Sequence, residues 1–171
     1  MVTACTNNKS TVRIAEEIAT DSSGVQSVRQ DVMMTVDLVE LGYEEIELAK
    51  AARLRSGNKT IQDIAFRLQT DQTRLMKGLK QYAANRNVHI PDSATTRDER
   101  LARNMAANNQ AAAFDKKWCV TLLNRHEQMI AKMEEDATMA LDSVLRFWIN
   151  DALPTIRMHR DELMQLKYKL R

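Results

Sequence analysis

The sequence predicts an all-α protein, a four-helix bundle with a short helix in the crossover between its second and third long helices. Three observations predict it. Only 4 Gly and 2 Pro occur in 171 residues, so turns are few and regular elements long. Four long stretches repeat apolar residues at spacings of three and four, which places them on one face of a helix. Alternating β-branched runs bounded by hairpin turns, the mark of strands, do not appear. Hydrophobic residues at 44% and charged residues at 28% fit an ordered globular chain, long enough for one sizeable core.

Residues 1–28 are polar and mixed and read as a tether; residues 29–171 form the bundle domain. Within the tether, Val12, Ile14, Ala15 and Ile18 fit one short helix that Asp21-Ser22-Ser23-Gly24 ends. The first long helix is expected from about Asp31 to Arg55, with Asp31 near its N-terminal end. Ser56-Gly57-Asn58 is a tight turn, and the second helix runs from about Thr60 to Arg86. Asn87 to Ser93 is a loop, because Pro91 biases Ile90 away from the helical region. A short helix covers about Thr95 to Asn104, and Asn108-Asn109 marks a break. The third long helix spans about Ala111 to Ala137 and the fourth about Leu141 to Leu170, with a kink or local break expected at Pro154. Two short links and one long crossover, between the second and third long helices, make the bundle pattern.

Three of these helices carry a polar residue where the repeat calls for an apolar one. The second reads Ala65, Leu68, Gln72, Leu75, Leu79, Tyr82; the third Cys119, Leu123, His126, Ile130, Met133, Ala137; the last Leu145, Trp148, Ala152, Ile156, His159, Leu163, Leu166, Leu170. A buried polar group is costly unless paired, so Gln72, His126 and His159 imply a shared network or a site. On the first helix Glu40, Glu44 and Glu47 form a stripe, and Glu44 or Glu47 is placed to point inward at the level of the histidines. The candidate polar core or ligand site is therefore Glu44, Glu47, Gln72, His126 and His159.

A dinuclear metal centre in such a bundle takes a Glu from each of two helices and Glu-x-x-His from each of the other two. Leu123 and Ile156 stand three residues before the two histidines, so that form is missing. The favoured reading is a hydrogen-bond network that fixes register, with no cofactor; the alternative is a single divalent metal ion or small ligand held by His126, His159 and a first-helix acid. No catalytic residues are assigned. His126-Glu127 lacks the second His of a zinc-protease motif, and no P-loop, GxSxG or dinucleotide fingerprint occurs. His89 sits in a loop, and Trp118, Trp148 and Cys119 read as core residues. A net charge of +2 with interspersed signs speaks against a nucleic-acid partner, and the sequence names no protein partner. No apolar run approaches the roughly 20 residues of a membrane span.

Val2-Thr3-Ala4-Cys5, followed by polar Thr6 to Ser10, resembles the lipobox of bacterial lipoproteins. On this reading Cys5 is the lipid attachment point and the only contact with a membrane, and the charged and apolar parts of a signal peptide, which are missing here, are expected upstream of Met1; the alternative is a chance resemblance and a helical adaptor of the cytosol. Further along, Glu44-Glu45-Ile46-Glu47-Leu48-Ala49, Asn87-Val88-His89-Ile90-Pro91, Phe114 to Trp118 with Arg125-His126, and above all Leu153-Pro154-Thr155-Ile156-Arg157-Met158-His159 resemble the motifs of a bacterial domain family of unknown function, often labelled "predicted outer membrane protein". The resemblance covers about Met34 to Leu166. It implies a ferritin-like bundle in an exported, commonly lipid-anchored protein of the periplasm or outer membrane, with an interaction or stress-related role and no assigned catalysis. Asp71-Gln72 and Arg125-His126 depart from the Asp-His pairs usual in that family's second and third helices.

Overall fold

A computed structural model of the chain describes residues 22–107 and 111–170. The described residues form five helices: α1 Ser22–Arg55, α2 Lys59–Asn85, α3 Thr96–Ala106, α4 Ala111–Met139 and α5 Ser143–Lys169. Cys5 and the short helix proposed around Val12 to Ile18 lie outside the described residues.

The helices stop where local chemistry stops them. Asn58 caps α2, its side chain accepting from the Thr60 amide. At the other end Asn87 adopts a left-handed φ of 54°. There the Val88 amide donates to Ala83 and the Asn87 amide to Ala84, a Schellman closure. Thr95 and Asp98 make a reciprocal capping box at the start of α3. Asp142 caps α5.

Two expectations change. The first helix begins at Ser22, not near Asp31, and runs through Gly24, since one glycine costs a helix only about 1 kcal/mol. Asp31 is instead an inward acceptor, 7% exposed, that takes the backbone amides of Leu141 and Asp142 at 3.0 and 2.7 Å. At Pro154 it is the local break that does not occur: α5 continues through the proline, with Leu153 and Ile156 holding both sides of it in the core.

α1 pairs with α2 and α4 with α5; the two hairpins meet along α1–α4 and α2–α5. Trp118, early in α4, bonds to Leu48, late in α1, whereas Leu141, just past α4, meets Asp31, so α1 and α4 are antiparallel. His159–Asp71 and Arg86–Asp142 set α2 and α5 antiparallel in the same way. The order is up, down, down, up. The link from Arg86 to α4 must therefore travel the length of the bundle, which is the ferritin-like connection. α3 rides on α1 along this path, pinned by Arg55 on the Ala106 carbonyl and by Tyr43 on the Pro91 carbonyl. α1 and α2 approach closely at Gly42, where an added Cβ would lie 2.4 Å from Met76 Sδ.

The core is not continuous. One apolar cluster gathers Leu38, Leu75, Met129, Ile149 and Ile156 with their neighbours. The other gathers Leu48, Leu68, Trp118, Leu122 and Leu163 with theirs. Between them runs a layer of polar side chains.

Candidate functional site: a buried polar layer

Each long helix contributes one side chain to that layer: Glu45 from α1, Gln72 from α2, His126 from α4 and His159 from α5. All are sealed, with exposures of 3%, 4%, 0% and 0%. Gln72, His126 and His159 are therefore core residues, as their spacing requires. The first-helix acid is different from the one expected. Glu44 is turned toward α4, where the Arg125 guanidinium takes its carboxylate, and Glu47 pairs with Lys50 at 2.7 Å. The reason is register. The inward stripe of α1 runs Leu38, Gly42, Glu45, Leu48, Ala49, Ala52, and 44 and 47 flank it. Following the apolar stripe and not the acidic one finds Glu45 in the sequence.

The contacts are directional. Gln72 Nε2 donates to Glu45 Oε2 at 2.5 Å, binding α2 to α1, and lies 3.9 Å from Met129 Sδ. His126 Nδ1 is 2.9 Å from the carbonyl oxygen of Leu122, one turn back. A carbonyl only accepts, so Nδ1 carries the proton. Glu45 Oε1 sits 3.1 Å from the same nitrogen without a hydrogen bond to it. His159 Nε2 donates to Asp71 Oδ2 at 3.0 Å, and Asp71 in turn faces Arg74 at 3.6 Å. The two imidazoles meet edge to face, their centres 5.7 Å apart and planes 71° from parallel. Three atoms of the layer are buried without a partner: Glu45 Oε1, His126 Nε2 and His159 Nδ1.

Burial sets the charges. Removal from water raises the Glu45 pKa, against the pull of His126 and the Gln72 bond. Burial likewise lowers the His159 pKa, against the stabilising Asp71 carboxylate. The layer thus resists holding an anion at Glu45 and a cation at His159.

Asp71 and Arg125 were not picked out by spacing. Each lies beside a seam residue and works through a partner on another helix, which periodicity within one helix cannot reveal. Glu127 and His89 are exposed and apart from the layer. Beside Gln72, toward the first cluster, lies a cavity of about 10 Å³ lined among others by Met76, Met129, Met133 and Trp148. It has the room of a single water molecule.

A carboxylate-bridged dinuclear centre does not fit these residues. The layer supplies one carboxylate, from Glu45, and the positions that would carry the other three hold Gln72, Leu123 and Ile156. Among the described residues no three His, Cys, Asp or Glu side chains are arranged to hold a metal ion.

The fold and the layer define a class: an all-α bundle whose core is divided by buried, imidazole-bearing polar residues. The chain belongs to the family described as a domain of unknown function, DUF4142, whose model matches residues 15–166. No curated protein and no solved structure matches it.

Proposed function

We propose that this protein works by binding and not by turnover: a helical bundle tethered in the bacterial envelope, whose polar layer takes up a small guest. The binding half is carried by the three buried atoms without partners, Glu45 Oε1, His126 Nε2 and His159 Nδ1. Each open valence costs about 1–3 kcal/mol, and a layer meant only to set register would gain by closing them. A guest that fills them removes that cost. Turnover is disfavoured because the layer is sealed and the adjoining cavity of about 10 Å³ holds no substrate larger than water.

The envelope half is supported by the lipobox-like Val2-Thr3-Ala4-Cys5 and the polar stretch after it. No helix among the described residues is long and apolar enough to cross a membrane, so attachment through Cys5 is the route this reading needs. Its test is labelling of cells with an alkyne fatty acid: label on the wild type, lost in Cys5→Ser, is expected. An unlabelled wild type overturns the anchor.

A second reading, a layer that only fixes register, is favoured by the Gln72–Glu45 and His159–Asp71 bonds, which tie α2 to both neighbours. Native mass spectrometry and elemental analysis of untagged protein separate the two. Binding predicts a bound species that disappears in His159→Leu; a register device predicts a bare chain in both.

A further inference from the structure

We propose that the end of the bundle formed by the α4–α5 turn docks on the surface of an anionic phospholipid bilayer, a second contact beyond the anchor at Cys5. The choice of a bilayer rests on the envelope reading above.

An apolar patch marks this end. Met139 closes α4, Leu141 lies in the turn, and Val144 and Phe147 share one face of α5; all four are exposed. Phe147, at 73%, is the most exposed aromatic side chain among the described residues. Val28 is also exposed and lies three residues before Asp31, whose carboxylate holds the amides of Leu141 and Asp142, so it extends the patch along α1. Single exposed apolar residues are ordinary, but a group of them at one end of a bundle marks an interaction surface. At the other end Phe66 is overlain by the Arg53 guanidinium.

The turn also carries little that needs water. The Ala140 amide donates to the Asp136 carbonyl at 2.8 Å, those of Leu141 and Asp142 to Asp31, and that of Val144 to the Asp142 side chain at 2.8 Å. A backbone already satisfied within the protein costs little to carry into a headgroup layer. Nearby acids are engaged too, Asp142 by Arg86 and Asp136 by Lys132. Arg146, beside Phe147, is exposed and makes no ion pair among the described residues, which leaves its charge for a lipid phosphate.

The tether decides what covers the patch. Residues 6–21 separate Cys5 from Ser22, where α1 starts. A chain of that length reaches at most about 55 Å, and the 34 residues of α1 span about 51 Å. A lipid on Cys5 therefore brings the far end of the bundle to the bilayer only with the tether drawn to its limit. The Ser22 end, which is the patch end, is there at any extension. α1 runs on about 13 Å from Asp31 to Ser22 and stands diagonal to α5, so the bundle meets the surface tilted toward α5.

The test uses full-length Cys5→Ser protein, which cannot be lipidated, and vesicles of phosphatidylethanolamine with phosphatidylglycerol. Flotation with the vesicles is expected. Leu141→Asp with Phe147→Asp should weaken it about 10–100-fold, and Arg146→Gln about 3–5-fold, on vesicles containing phosphatidylglycerol and not on phosphatidylcholine alone. Phe147→Trp should add emission that brominated phospholipid quenches. Circular dichroism shows that each variant is folded. No flotation, with fatty-acid label on wild-type Cys5, overturns the docking and leaves the anchor standing; no flotation and no label overturns both. Flotation that survives the double Asp variant but is lost in Ile14→Asp with Ile18→Asp overturns the docking by placing the contact before α1. A dimer in sedimentation velocity that the double Asp variant dissolves, without flotation, overturns it in favour of a second copy of the chain.

Discussion

The indole nitrogen of Trp118 donates to the carbonyl oxygen of Leu48 at 2.9 Å, joining two fully buried residues on α4 and α1. It is the largest fully buried side chain, and its bond is what keeps an amphipathic ring in an apolar cluster without an unmet donor. Trp118→Phe keeps most of the apolar area and should cost about 1–2 kcal/mol; Trp118→Ala opens a cavity and should cost about 3–5 kcal/mol. Urea unfolding followed by circular dichroism reads both, and equal losses would contradict the role given to the bond.

Asp31 holds the α4–α5 connection from outside it, accepting two consecutive backbone amides. Asp31→Ala leaves both amides without their acceptor and is expected to destabilise by about 1–3 kcal/mol. Asp31→Asn retains one acceptor oxygen and should fall between. Hydrogen exchange should localise the effect to Leu141 and Asp142; uniform loss along the chain would argue against this contact as its source.

Glu45 makes the protein sensitive to pH in one direction. Its folded pKa is raised by burial above the usual carboxylate value, so the ionised form is disfavoured in the fold. That contribution is fully favourable below the unfolded pKa of about 4.3 and is lost as pH rises through the folded value. Glu45→Gln should therefore stabilise the protein near pH 8 relative to wild type, with the advantage shrinking as pH falls toward 4.5. A pH-independent difference would show that burial of the charge is not the cause.

His159 acts in the opposite sense. Its folded pKa is depressed by burial, so its contribution is present above about pH 6.5 and lost as pH falls through the folded value. His159→Leu should flatten the loss of stability between pH 7 and pH 5. Chemical unfolding at a series of pH values measures the slope; an unchanged slope would place the acid sensitivity elsewhere.

Cys119 is 1% exposed, donates to the Leu163 carbonyl at 3.3 Å, and has its thiol pushed up to about 11 by burial. Only the thiolate is nucleophilic, so at pH 8 Cys119 should resist alkylation in the native protein and react in denaturant. Peptide mass spectrometry after iodoacetamide treatment resolves this site from Cys5.

Much of the bundle was legible because helical periodicity is a property of one segment at a time. The seams through Leu68–Gln72–Leu75, Leu123–His126–Ile130 and Ile156–His159–Leu163 predicted three of the four layer residues, all of them now in the core. The fourth is Glu45 and not the expected Glu44 or Glu47, because the acidic stripe of Glu40, Glu44 and Glu47 lies beside the apolar stripe that turns inward. Asp31 differs from its expected place for a related reason: an Asp near an expected helix start looks like a cap, and nothing local says that its oxygens accept from amides near residue 141.

The sequence by itself determined that the chain is all-α, where its long helices turn, and that polar residues interrupt their apolar faces, because propensity, capping and periodicity act over a few residues. Only the tertiary structure decided that these interruptions fall at one level, that Asp71 and Leu122 orient the two imidazoles, and that three buried atoms remain without partners. Those are relations between helices, set by how the up-down-down-up packing aligns their registers, and no spacing within a single helix encodes them.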